Sequence, residues 1–197
     1  MSRSRVVAFY GFMLALAFGV GAWQGSLSTW LPRIDDAPER LLLGIGAGLF
    51  VVLFSRVAQR QFAWARALSN EFQAILSDFS RRDAFMMALM SALGEELLFR
   101  GVLQPSFPDP LFGLLITAGI FAALHVGPSK TFLPWTVMAF VVGLMFGALA
   151  LLTGDLLAPV VAHGVINFLN LREILGESKD EIGIGPLGGD PMIDKAL

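Results

Sequence analysis

The chain carries two histidines, His125 and His163, and both lie in strongly apolar stretches. A third apolar stretch holds the acidic pair Glu95 and Glu96, with Arg100 close behind. Ionisable side chains are costly in membrane-like segments, so each marks a functional hypothesis there. A carboxylate beside an imidazole can bind and deprotonate a water molecule. A second imidazole and an amide N–H can stabilise the oxyanion that forms on an attacked carbonyl. With Asn167 four residues after His163, the chain holds one such set, and its chemistry is amide hydrolysis without a covalent nucleophile.

Helical spacing divides the roles. Residues four apart share a face, so Glu96 can pair with Arg100 and offset the cost of a buried charge. Glu95 lies about 100° further round the helix and is left to face a cavity. Phe121 and His125 share a face, as do His163 and Asn167. Other readings of the same residues stand beside this one. Glu95, Glu96 and Arg100 can form a purely structural ion cluster, and a histidine on an apolar helix can be a satisfied core residue. The His163–Asn167 pair can be interhelical glue. Serine catalysis is weaker, because neither Ser91 nor Ser106 lies in a nucleophile motif. No metal is favoured. The alternative is a divalent ion such as zinc on Glu95, His125 and His163 with a position left for water, although HExxH is absent and the three come from separate helices. In another class altogether, buried Glu and His serve a proton or ion path, or a non-catalytic scaffold.

At these residues the chain resembles the CPBP family, the CAAX prenyl proteases of the Ras-converting-enzyme type together with bacterial relatives of the Abi type. Glu95, Glu96 and Arg100 match its EExxxR motif, Phe121 and His125 its FxxxH motif, and His163 and Asn167 its HxxxN motif. The three occur in order, over roughly residues 84–171. The resemblance implies an intramembrane endopeptidase of glutamic type. In that reading Glu95 and His125 activate water, His163 and Asn167 hold the oxyanion or position the water, and Glu96 and Arg100 support the site. The CAAX substrate is not carried over. The implied partner is a membrane-associated protein or peptide within the lipid bilayer.

Composition fits that setting. Of 197 residues, 55% are hydrophobic and 15% charged, against about 25% charged in soluble domains. A net charge of -2 argues against nucleic acid as a partner. The absence of cysteine excludes disulfides and thiolate metal sites. The expected fold is all-α, a polytopic bundle over residues 1–172 with about six spans near 6–25, 40–57, 84–104, 110–127, 132–152 and 156–171. The first is read as a retained helix, not a cleaved leader. Residues 59–83, with apolar side chains from Phe62 to Phe79 at helical spacing, are expected as an amphipathic helix in the cytoplasmic interface. A loop helix packed on the bundle is the other reading. Gly143 and Gly147 have a GxxxG spacing, read as packing. Residues 173–197 are acidic, glycine-rich and expected to be disordered. Loop charges orient the bundle: Arg3, Arg5, Arg56, Arg60, Arg66, Arg81, Arg82, Lys130, Arg172, Lys179 and Lys195 fall on one side, and Arg33 and Arg40 on the other. The positive-inside rule then puts both termini in the cytoplasm, and a bacterial inner membrane is the expected location.

Overall fold

A computed structural model describes residues 3–181. Among them there is no strand, and seven helices form a membrane bundle. They are α1 (Arg3–Gln24), α2 (Ala37–Gln61), α3 (Ala63–Ile75), α4 (Arg81–Leu98), α5 (Pro110–Ala123), α6 (Leu133–Thr153) and α7 (Leu157–Glu181). The helix of α4 runs on through a π-helical turn, Phe99–Leu103, and a 3₁₀ turn, Gln104–Ser106. The six expected spans correspond to the six helices other than α3. By length and apolarity alone, α1, α2 and Lys130–Thr153 are able to cross a membrane. Of the remainder, α4 and α7 carry the ionisable residues, and α5 has 14 residues.

Local chemistry sets several boundaries. Ser80 and Asp83 form a capping box that starts α4: Ser80 Oγ accepts from the Asp83 N–H at 3.2 Å, and Asp83 Oδ2 from the Ser80 N–H at 2.7 Å. This box, with extended backbone at Phe62, breaks the expected 59–83 helix. Its first residues belong to α2, its last to α4, and only Ala63–Ile75 forms the amphipathic α3. Asp109 caps α5 by accepting from the Phe112 N–H at 2.8 Å, with Pro110 at the first helical position. Gly154, at φ +73°, ends α6 in the left-handed conformation that a side chain disfavours. The last helix runs past the expected end of its span to Glu181, so the expected disordered tail begins as helix. Its residues 182–197 lie outside the described residues.

Helix pairs are close where small residues allow it. A Cβ on Gly44 would stand 2.6 Å from the Ala158 carbonyl oxygen, and one on Gly48 would stand 2.9 Å from that of Ala162. These two glycines therefore let α2 lie directly on α7. The helix α4 is central, packed against α1 and α7, while α5 pairs with α6. One end of the bundle is tied by Arg3–Asp83 (3.1 Å), Arg56–Glu173 (2.7 Å) and Ser129 Oγ to Glu71 (3.4 Å). At the other end Gln24 meets Ser106 (3.0 Å) and Arg40 meets Asp155 (3.3 Å). The helices thus alternate in direction, and α3 covers the first end.

Candidate active site

The centre of the bundle is organised by Glu96, which is fully buried. Its Oε1 accepts from Arg100 Nη1 at 3.0 Å and from His163 Nδ1 at 2.7 Å. The intrahelical pair follows from i,i+4 spacing; the bond to His163, 67 residues away, does not. Arg100 also donates from Nη2 to the Gly143 carbonyl at 2.9 Å. Its guanidinium stands 4.6 Å from the centroid of the Phe121 ring, 5.4 Å from that of Phe146 and 5.8 Å from that of Phe99. Desolvated cation–π contacts of this kind stabilise by roughly 2 kcal/mol each. One turn on, Gln104 Nε2 donates to the Gly147 carbonyl at 3.1 Å. The GxxxG face of α6 therefore serves more than close packing, since its exposed carbonyls receive two polar side chains from α4 and its continuation.

Glu95 points elsewhere, into a cavity of about 470 Å³ that His125, His163, Asn167 and Ser91 also line. Its buried Oε2 has no hydrogen-bond partner. That oxygen is 3.8 Å from His125 Nε2 and 3.9 Å from His163 Nε2. These separations are too long for direct hydrogen bonds.

The tautomer of His125 is fixed by its other nitrogen. The Phe121 carbonyl can only accept, so His125 Nδ1 donates to it at 2.6 Å and leaves Nε2 to face Glu95. The Phe121 ring lies against the imidazole, with centroids 4.3 Å apart. His125 stands just beyond α5, which ends at Ala123, and not inside a helix as expected. At 1.5 Å per residue a helix of that length spans about 21 Å, short of a bilayer core of ~30 Å. The loop after it is irregular backbone that lines the cavity, where such backbone is tolerated in a membrane protein. The His125 side chain is 22% exposed against 9% for Glu95 and 5% for His163, so the site opens on the His125 side.

His163 is stacked on Phe146, with centroids 4.9 Å apart and 15° between planes. Asn167 Nδ2 donates to Ser91 Oγ at 2.8 Å, and Ser91 in turn donates to the Ala88 carbonyl. Of the sequence-derived residues, Glu95, His125, His163 and Asn167 line one cavity, while Glu96 and Arg100 lie behind it. Sequence reasoning missed Phe146 and the bonding role of Ser91. Ser91 was within reach, being one turn before Glu95 on the same face; Phe146 carries no mark that sets it apart on an apolar helix. Among the described residues, no three His, Asp or Glu side chains are disposed to hold a metal ion. In the alternative reading, Glu95, His125 and His163 are the residues that would hold a divalent ion, which would supply an activated water there.

Residues 80–169 match the family model of the Rce1-like type II CAAX prenyl endopeptidases, and all three motifs fall inside that segment. The resemblance drawn from the motifs holds. The chain is 37% identical over 95 residues to the uncharacterized protein YpbD of Bacillus subtilis (strain 168), covering 45% of this chain and 46% of YpbD. It is 24% identical over 141 residues to the sporulation-killing factor biosynthesis protein SkfC of the same organism, covering 66% of this chain and 28% of SkfC. The chain thus spans less than half the length of these curated relatives. No solved structure matches.

Proposed function

We propose that this integral membrane protein is an intramembrane endopeptidase that hydrolyses a peptide bond of a membrane-associated protein or peptide. The observation that carries the reading is the approach of one unpartnered carboxylate oxygen, Glu95 Oε2, to two imidazole nitrogens across a buried cavity. A water between Glu95 and His125 gives up a proton as its oxygen attacks the scissile carbonyl carbon. The carbonyl oxygen becomes an oxyanion facing His163 and Asn167. When the C–N bond breaks, the proton held by Glu95 and His125 passes to the leaving nitrogen. Glu96, by accepting from His163 Nδ1, directs the other ring nitrogen to the cavity. A neutral His163 offers a lone pair there, and the protonated ring offers the N–H that an oxyanion needs.

The cavity walls define the substrate coarsely. They are mostly apolar and aromatic, including Phe54, Trp64, Phe72, Phe132 and Trp135, and Glu95 is the one Asp, Glu, Lys or Arg among the lining residues. An uncharged, apolar segment fits such walls. The arginine-rich end of the bundle is assigned to the cytoplasm, in a bacterial inner membrane.

The test compares membranes from cells lacking the protein with membranes carrying wild type or Glu95→Gln at matched levels. Mass spectrometry should find peptide termini that arise only with wild type. Identical termini in all three samples, with both proteins folded and inserted, would turn the reading toward a scaffold or an ion-binding protein.

A further inference from the structure

Uncharged polar side chains from three helices line the cavity toward the arginine-rich end, among them Ser55 on α2, Ser69 on α3 and Asn170 on α7. The proposed hydrolysis uses none of them. Asn170 follows Asn167 by about one turn, so the two stand on one face of α7. Their amides differ. That of Asn167 is tied to Ser91, whereas Asn170 Oδ1 is buried and has no hydrogen-bond partner. A polar atom buried without a partner is destabilising, and such atoms are rare in folded proteins. Ser55 stands at the same level. The helices α2 and α7 run side by side in one direction, with Gly44 against Ala158, Gly48 against Ala162 and Arg56 paired with Glu173. That register sets Ser55 level with Asn170. Ser69 is buried on the cavity face of α3.

We propose that Asn170 anchors the backbone of an extended substrate segment, its Oδ1 accepting from a peptide N–H about three residues from the bond that is cut, in a polar wall that Ser55 and Ser69 complete. This rests on the endopeptidase reading and adds a substrate subsite to it. The spacing follows from helix geometry. From His163 to Asn170 the helix α7 rises roughly 10 Å at about 1.5 Å per residue, which an extended chain covers in about three residues at ~3.3 Å each. The class of ligand follows from charge. Apart from Glu95, no Asp, Glu, Lys or Arg lines the cavity, so a phosphate headgroup or a charged chain terminus would find no counter-charge at Asn170. A peptide N–H is neutral, and inside an apolar cavity it needs an acceptor of its own. The last torsion of an asparagine is broad, and no hydrogen bond holds the Asn170 oxygen, so it can turn to such a donor.

The probe is a synthetic peptide spanning a cleavage site found by its new termini, together with a series in which one backbone nitrogen at a time is methylated. Each methylation removes a single N–H and leaves the side chain in place. With wild type, methylation at one position about three residues from the scissile bond should raise KM by about 3- to 10-fold, the worth of a neutral hydrogen bond. Asn170→Leu should raise the KM of the unmodified peptide to the same degree with kcat held, as the loss of a uniform binding contact does. The variant should then be indifferent to methylation at that position. A second measurement needs no substrate. The substitution breaks no hydrogen bond of Asn170 Oδ1, so the melting temperature of Asn170→Leu should be unchanged or raised. A wild-type KM in Asn170→Leu would overturn the proposal, as would an equal response of wild type and variant to methylation at every position, or a lowered melting temperature. If wild type cleaves no protein, the endopeptidase reading falls and takes the subsite with it; if wild type cleaves and Asn170→Leu matches it on every peptide, the subsite alone falls.

Discussion

At the scale of the residue, two adjacent glutamates have opposite fates. Glu96 meets a guanidinium and an imidazole and is fully buried, whereas Glu95 keeps a bare oxygen toward the cavity. The stability consequences therefore differ. Arg100→Ala leaves Glu96 buried without its cation and should cost about 3–5 kcal/mol, read as a large drop in melting temperature. Glu95→Gln removes no ion pair that closes to hydrogen-bond length and should leave melting unchanged or raised. Equal destabilisation by the two would mean that Glu95 is structural. A chelator gives a second check. With Glu95 and His125 as the water-activating pair, activity should survive exhaustive dialysis against EDTA; loss restored by zinc alone would contradict the role assigned to them. The division between the glutamates was legible from the sequence, since i,i+4 spacing pairs Glu96 with Arg100 and turns Glu95 away. The Glu96–His163 bond and the Phe146 stack on His163 were not, because helical periodicity says which face a residue occupies and nothing of which helix it meets.

At the scale of the element, the site depends on how closely helices approach. The α2–α7 contact passes over Gly44 and Gly48, and α7 carries His163 and Asn167. Gly48→Ala would put a methyl 2.9 Å from a backbone oxygen, which cannot move without moving α7. The expected cost is that of overpacking, about 1–3 kcal/mol, with activity falling as His163 is displaced. Gly46→Ala, with nothing within 4 Å, should be neutral in the same melting assay. A Gly48 variant as stable as the Gly46 variant would show that the two helices are not seated as described. The glycines themselves were visible in the sequence, but not the helices they would face. The end of α5 was also misplaced by hydropathy alone. Apolar residues continue through Leu124 and Val126, while the helix stops at Ala123 and releases His125 to the cavity.

At the scale of the whole molecule, charge separates the two ends. The arginine-rich end joins α1, α4, α2 and α7 through Arg3–Asp83 and Arg56–Glu173. The chain has no cysteine, so single cysteines can be introduced without background. Ser129→Cys should react with a membrane-impermeant thiol reagent from the cytoplasmic face and Leu31→Cys from the opposite face; the reverse pattern would invert the assigned orientation. The all-helical membrane bundle was readable from hydropathy. The cavity was not, since it is made by α1, α2, α3, α5 with the loop after it, α6 and α7 closing around α4, and those contacts lie far apart along the chain.

In the proposed hydrolysis Glu95 accepts a proton from the attacking water. Its most direct test is the steady-state kinetics of wild type and Glu95→Gln, reconstituted in bilayers, on a substrate found by its new termini. The expected kcat of Glu95→Gln is lower by about 10³-fold, with KM and melting temperature held. Activity of Glu95→Gln within about threefold of wild type, well inside the effect expected of a general base, would contradict it.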